Sequence, residues 1–413
     1  MSTFFFKTTS ILRHYLTWWH FKRVFIFILV DIVLLSFVRR GRADVVLVLK
    51  FDQLGDYIIA RNFLLRIRDH QPYKSKKIVL CANLAIKEFI ETYDAWAYDG
   101  FIWIDRTRII NEIGARFKTL KEVKTMGSQI AIQCTYGLES FSADCIMRAS
   151  GARVRYGRWL CHSVSDGKTG ARKIKLGNKF YTPLVDHEQV VFDFYRHKAL
   201  FSHVLPEADL PENTRLLAIE VPTPPIDGPF AIVMPGASDA FREWPAERFA
   251  QVARHLSEKW GLRILVMGTK GDSLKAQAIQ QAVPDLKVEN LCGQLNLPQV
   301  AFLMSKCTLG VTNDSGGIHL LAALNKPGVA VSNCFSFGYF HPYPREISDS
   351  VSFVYPSAFY SLPLTMEQRK IAFGSGRHFP ITDVLAENVI ERIDTLLDGR
   401  PFRDPFLETA GQV

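Results

Sequence analysis

Three short stretches hold residues whose types and spacing suit proton transfer and anion binding. Lys50-Phe-Asp-Gln-Leu-Gly-Asp56 sets two carboxylates, Asp52 and Asp56, around Gly55. Asp56 stands where an apolar run ends and a helical period begins. A carboxylate there is either a helix cap or a general base facing a cleft. Pro235-Gly-Ala-Ser-Asp-Ala-Phe-Arg242-Glu-Trp-Pro245 offers Gly236 and Ser238 as backbone and hydroxyl donors to phosphate. Arg242 is a fixed cation able to neutralise a departing diphosphate, or else a surface side chain before a helix. Thr312-Asn-Asp-Ser-Gly-Gly-Ile-His319 follows an apolar run, Thr308 to Val311, and leads into the helical period of Ile318, Leu320, Leu321 and Leu324. Asp314 and Ser315 suit the N-cap of that helix. Free N–H groups at its start would make an anion site at the positive end of the macrodipole. An ordinary capped helix gives the same pattern. His319 is either a satisfied core histidine or a ligand contact from the first turn.

The elements that must hold these stretches alternate strand and helix twice along the chain, which implies parallel sheets with right-handed crossovers. We read residues 44–204 as one Rossmann-like domain and residues 230–398 as a second, with a tail at 399–413. Leu205 to Pro229 contains six prolines and reads as the linker, residues 205–229. In the first domain the pattern predicts strands at Val45–Leu49, Lys77–Ala82, Phe101–Ile104 and Gln129–Gln133. It also predicts helices near Ile109–Lys124 and from about His187 to His203. Residues 149–179 read as a basic loop region with a short strand, Arg153 to Tyr156, and Asn333 to Gly376 as long aromatic loops at the cleft rim. Two such domains face each other across a cleft at the carboxyl ends of their strands.

Composition narrows the class. Of 413 residues, 48% are hydrophobic and 22% charged, as in a globular protein, and the length suits two domains. The net charge of +9 fits an anionic partner or simple solubility. Basic residues are spread along the chain without a nucleic-acid-binding module, so no nucleic-acid partner is expected. The seven cysteines are scattered and form no C-x-x-C pair, so they read as buried thiols and imply neither zinc nor disulfides. No G-x-G-x-x-G follows a strand and no G-x-x-x-x-G-K-[ST] occurs, which argues against dinucleotide oxidoreductases and P-loop enzymes. Residues 1–43 differ from the rest. Val24 to Val38 is apolar save for Asp31 and Ser36, with Trp18, Trp19 and Lys22-Arg23 before it and Arg39, Arg40 and Arg42 after it. The run is short for a bilayer span, so an interfacial or re-entrant membrane anchor is the leading expectation. A true span, a signal peptide and a core helix are the alternatives.

Val45–Asp56 with its helix, Pro235–Pro245 with Phe249, and Asn313–Pro327 together resemble glycosyltransferase family 9, the ADP-heptose:lipopolysaccharide heptosyltransferases. The resemblance runs over about residues 44–335, with a weaker match at Asp186-His187-Glu188. It implies a GT-B fold and a metal-independent, inverting transfer with no cofactor. The implied donor is an ADP-sugar held by the C-terminal domain. By motif, Asp56 corresponds to the catalytic base and Arg242 to the group that stabilises the leaving diphosphate. Ser238, Asp314, Ser315, Gly316 and His319 fall in the donor-binding blocks, and Leu295 borders the adenine. Met234 stands where the family frequently has His, and Gly317 where it frequently has Pro. The implied partners are a nucleotide-sugar donor, a lipid-linked glycan acceptor and a membrane surface, at the cytoplasmic face of the bacterial inner membrane. A transferase of the same fold using another nucleotide sugar, or a non-catalytic membrane-associated binder of nucleotide or glycan, are the competing readings.

Overall fold

The computed structural model describes residues 26–136, 142–158, 181–182, 184–185, 190–374 and 376–399. Trp18, Trp19, Lys22, Arg23, Cys161, most of the basic loop region, Asp186-His187-Glu188 and the tail from residue 400 lie outside them.

Val45–Lys50 is fully buried along its length, the mark of a strand covered on both faces. This strand, β1, pairs in parallel with β2 (Lys77–Asn83) and β4 (Ile130–Gln133), with Val46 opposite both Ile78 and Ile130. With β3 (Gly100–Ile104), β5 (Val154–Arg158) and β6 (Leu184–Val185) they form a six-stranded sheet in the order β3-β2-β1-β4-β5-β6. The second sheet takes β7 (Phe230–Met234), β8 (Arg263–Val266), β9 (Val288–Asn290), β10 (Leu309–Asn313), β11 (Gly328–Val331) and β12 (Val351–Val354), in the order β12-β11-β10-β7-β8-β9. Counted within each sheet, both orders are the doubly wound sequence 3-2-1-4-5-6. Each sheet therefore reverses beside its first strand, and a crevice opens there outside the strands' carboxyl ends. The three stretches singled out above follow β1, β7 and β10, the strands at those two reversals.

The two domains meet through helix Leu54–Arg66 of the first and helix Gly316–Ala323 of the second. The contact needs glycine on both sides. A Cβ on Gly55 would lie 2.5 Å from Cδ2 of His319, and one on Gly316 would lie 3.3 Å from the backbone nitrogen of Gly55. The proline-rich linker runs along this junction and is tied to both partners. Asn62 donates to the carbonyls of Asn213 and Arg215, and the Leu216 N–H donates to the Ala323 carbonyl at 2.8 Å.

The helix expected near Ile109–Lys124 is two helices, Arg106–Asn111 and Ile113–Met126. The side chain of Asp105 accepts from the N–H groups of Thr107 and Arg108 and starts the first one early, and Glu112 in an extended conformation separates them. The helix expected from about His187 begins at Asp193. Asn333–Gly376 is not a set of rim loops. It contains β12 and the helices Ser357–Tyr360 and Met366–Gly374. Its aromatic rings Phe337, Tyr343, Tyr355, Phe359 and Phe373 are buried in the core that joins the two domains. Burial of large aromatic area stabilises this segment, and a chain that supplies so much of it has no reason to stay at the rim.

Residues 26–36 form a helix on the first domain. No described helix is long and apolar enough to cross a membrane. The six described cysteines are free and buried.

Candidate active site

A cleft of about 1130 Å³ lies between the domains. Asp56, Gly236, Ser238, Arg242, Leu295, Asp314, Ser315, Gly316 and His319 all line it.

On one wall, Asp56 occupies the first turn of helix Leu54–Arg66. The helix is fixed from behind by Asp94, which is wholly buried and accepts from Tyr57 Oη at 2.8 Å and from Arg61 Nε at 2.9 Å. Asp56 does not cap its own helix, whose N-cap residue, Gln53, makes no side-chain capping bond either. The carboxyl group stands half-buried and is pushed up to about 7, first by loss of solvent and then by the neighbouring charge of Asp52, with Lys50 opposing. Asp52 is itself held in place. It pairs with Lys50 Nζ at 2.7 Å and accepts from the Tyr136 N–H at 3.0 Å. A carboxyl group that is half-ionised near neutral pH and faces a cleft suits general-base work.

The opposite wall is built from the loops after β7 and β10, and Asn313 joins them. Its side chain donates to the Pro235 carbonyl at 2.7 Å and accepts from the Trp244 N–H at 3.0 Å. Arg242 reaches across to Asp314, pairing at 3.0 Å with its carboxylate and donating to its carbonyl. Its guanidinium is therefore engaged rather than free, but Nε is buried and has no hydrogen-bond partner. Asp314 also meets His341 Nε2 at 3.3 Å. Burial works against the charge of Asp314, yet Arg242 and then His341 outweigh it and hold the carboxyl well below the usual range. Asp314 thus serves as a fixed anion that orients Arg242, not as a helix cap.

Ser315 is the N-cap residue of helix Gly316–Ala323, and its side chain makes no capping bond. Ser315, Gly316 and Gly317, at the start of that helix, line the cleft. This end is therefore available to an anion, whereas the end of helix Leu54–Arg66 carries Asp56 in its first turn. Gly236 allows close backbone approach, since a Cβ there would lie 2.6 Å from the Asp272 carboxyl group. Ser238 is exposed, and its hydroxyl donates to Asp239 at 3.1 Å. His319 is both a core and a cleft residue. It is 5% exposed, its Nδ1 meets the Tyr343 hydroxyl at 2.8 Å, and burial pushes its pKa down to about 4. The imidazole is therefore neutral at neutral pH.

The arrangement is a proton acceptor, Asp56, facing Arg242 and the N-terminus of helix Gly316–Ala323 across one cleft. The profile of glycosyltransferase family 9 (heptosyltransferase) matches residues 138–353, which is 216 of the 413 residues. The chain belongs to glycosyltransferase family 9. It is 30% identical over 162 residues to lipooligosaccharide heptosyltransferase 2 of Haemophilus influenzae (strain ATCC 51907 / DSM 11121 / KW20 / Rd), covering 38% of this chain and 43% of that one. It is 28% identical over 159 residues to lipopolysaccharide heptosyltransferase 2 of Escherichia coli (strain K12), with the same coverage of 38% and 43%. The matched stretch thus spans less than half of these curated relatives. In overall fold the chain is similar to the family 9 glycosyl transferase from Veillonella parvula DSM 2008, with a TM-score of 0.62 at 20% identity over 87% of this chain and 100% of that one. It is also similar to E. coli heptosyltransferase WaaC with ADP, with a TM-score of 0.60 at 17% identity over 85% and 99%.

Two departures from the common family 9 pattern, Met234 and Gly317, prove to be neighbours. A Cβ on Gly317 would lie 2.7 Å from Sδ of Met234. The sulfur fills the space that a larger residue at 317 would need. Sequence reasoning missed His341 and Tyr343, because a buried histidine and tyrosine in an irregular segment carry no periodic signal. Lys50 heads the first of the three stretches without a role in the sequence reading, although its pairing with Asp52 sets part of the electrostatics at Asp56.

Proposed function

We propose that this family 9 chain is an inverting, metal-independent glycosyltransferase that moves heptose from ADP-heptose to a lipopolysaccharide core or a related lipid-linked glycan at the cytoplasmic face of the bacterial inner membrane. The observation that carries the reading is Asp56, raised to about 7 and uncapped, across one cleft from Arg242 and the open end of helix Gly316–Ala323. The carboxylate of Asp56 takes the proton from an acceptor hydroxyl as that oxygen forms its bond to the anomeric carbon. The bond from that carbon to the diphosphate breaks on the opposite face, which inverts the centre. The negative charge that develops on the diphosphate is met by Arg242 and by helix N–H groups, which supply without a metal the stabilisation a metal gives elsewhere. Gly236, Ser238, Ser315, Gly316 and His319 hold the donor, and Leu295 borders its base.

The relatives named above are called heptosyltransferases, and one similar structure was solved with ADP. Those names support the choice of donor. The test is calorimetric titration with ADP, UDP, GDP and CMP in the presence of EDTA, followed by transfer assays on lipopolysaccharide-type acceptors. Selective ADP binding and EDTA-resistant transfer with inversion are expected. Selective binding of UDP or GDP would keep the fold and overturn the donor. No nucleotide binding by folded protein would favour a non-catalytic role.

A further inference from the structure

The helix at residues 26–36 is apolar around nearly its whole circumference, an arrangement that water tolerates only when every face is covered. Phe27, Asp31 and Leu35, each four residues apart, are buried against the first domain. Asp31 accepts from Arg116 at 2.7, 2.9 and 3.1 Å, and Arg148 stands 3.8 Å away. The one acid in the apolar run is thus neutralised on the inner face. The outer face carries Ile26, Leu29, Ile32, Val33 and Phe37, which are 47–85% exposed. Ile26, Leu29, Val33 and Phe37 follow the i, i+3, i+7, i+11 spacing of a single stripe.

A second feature adjoins the stripe. A cavity of about 300 Å³ at the carboxyl end of this helix is lined by Ile32, Leu35 and Ser36 together with Arg40, Lys124 and Arg148. Three cations and no acidic side chain line it. Lys124 donates to the Leu35 carbonyl at 2.6 Å and Arg40 to the Gly151 carbonyl, which fixes both heads at the cavity with further N–H donors to spare. Arg39 and Arg42 flank it in sequence.

We propose that this face docks on a lipid bilayer rich in anionic phospholipid, with the stripe among the acyl chains and a lipid phosphate in the Arg40–Lys124–Arg148 cavity. Charge complementarity selects this occupant, since cations bordering an apolar stripe match the boundary between headgroups and chains. The sequence leading into the helix has the same character, with Phe4-Phe5-Phe6, Trp18, Trp19, Lys22 and Arg23. Phe27, Asp31 and Leu35 hold the inner face of the helix on the first domain, so only the outer face is offered to the bilayer and the stripe serves a helix lying along the surface. The inference is independent of how the cleft is read.

The experiment is co-sedimentation of the full chain with vesicles of phosphatidylcholine, with and without phosphatidylglycerol. Wild type is expected to prefer phosphatidylglycerol vesicles. Leu29→Glu with Val33→Glu should weaken partitioning to both vesicle types by about tenfold or more. Arg40→Glu with Lys124→Glu should abolish the preference for phosphatidylglycerol and leave a weak, salt-insensitive partitioning. A thermal melt shows that each variant is folded. Unchanged partitioning of folded stripe variants would overturn the proposal. So would a wild-type dimer in solution that the stripe variants dissociate, because a second copy then covers the stripe. Binding of inorganic phosphate without binding to vesicles would overturn it as well.

Discussion

Replacing Asp56 by asparagine keeps the size and polarity of the side chain and removes its charge and its basicity. Activity and stability should therefore move in opposite directions. The group titrates near 7 in the fold against an ordinary value of 3.8. A carboxyl whose folded pKa is raised destabilises the fold when ionised. The sign follows: the penalty is absent below about 4, grows between about 4 and 7, and is complete above 7. A gap of about 3 units is worth about 4 kcal/mol at most. Asp56 is half-buried and the open cleft admits water, so about 1–2 kcal/mol is the realistic gain for Asp56→Asn at pH 8, and nearly none at pH 4. In a protein of this size that is a rise of roughly 1–2 °C in Tm. Transfer should fall on the order of 10²–10⁴-fold, the contribution of a general base. In the wild type, kcat/KM should rise about tenfold per pH unit up to about 7 and then level off. Asp52→Asn, which removes the second-largest cause of the upward shift, should move that midpoint to lower pH. The assays are ADP release against pH and thermal melts at pH 4 and pH 8. A variant with wild-type transfer, or one that gains no stability between pH 4 and pH 8, refutes the assignment of Asp56.

Other outcomes follow from the donor wall. Arg242→Ala should weaken ADP binding by about 10–100-fold, the value of a charge-assisted hydrogen bond, and should also lower Tm because Asp314 is left paired with His341 alone. Arg242→Met with Asp314→Asn should recover the Tm but not the affinity, and calorimetry with melts separates the two effects. Gly317→Ala should cost about 1–3 kcal/mol by crowding the Met234 sulfur. In a double-mutant cycle with Met234→Ala the costs should be clearly less than additive, and additivity would mean that the two positions are not coupled.

The fold was legible because its strands are continuous apolar runs and its helices keep a 3.6-residue period. Val45–Leu49 and Thr308–Val311 read as strands from residue type alone, and the structure has them at Val45–Lys50 and Leu309–Asn313. Asn333–Gly376 was not legible, because its burial rests on aromatic rings at irregular intervals that meet only in three dimensions. Phe192 and Tyr343, for example, lie 4.7 Å apart across 151 residues of chain. At the site, Asp56, Arg242 and Asp314 were visible as charges placed after strands. The relation among them was not. Nothing in the spacing of Arg242 and Asp314 says that they pair, and local patterns favoured a cap where the structure has an ion pair. The inner and outer faces of the helix at residues 26–36 were hidden for a related reason. Asp31 reads as an interruption of the apolar run until Arg116, 85 residues away, is placed beside it.

The contact between the two helix ends gives the strictest test of how the domains cooperate. A Cβ on Gly55 would stand 2.5 Å from His319 Cδ2, well inside van der Waals contact. The His319 ring cannot simply swing aside, because it is buried and bonded to Tyr343. Gly55→Ala must therefore move the two domains apart by a few tenths of an ångström to about 1 Å. The donor wall, built from the second domain, stays intact while Asp56 retreats from it. Misplacement on that scale costs about 10²-fold in a step that depends on near-attack geometry. The expected pattern is a kcat lowered at least tenfold with the Kd for ADP changed by less than about threefold. Equal loss in both would mean that the first domain helps bind the nucleotide, and no loss in either would mean that the close contact is not what aligns base and donor.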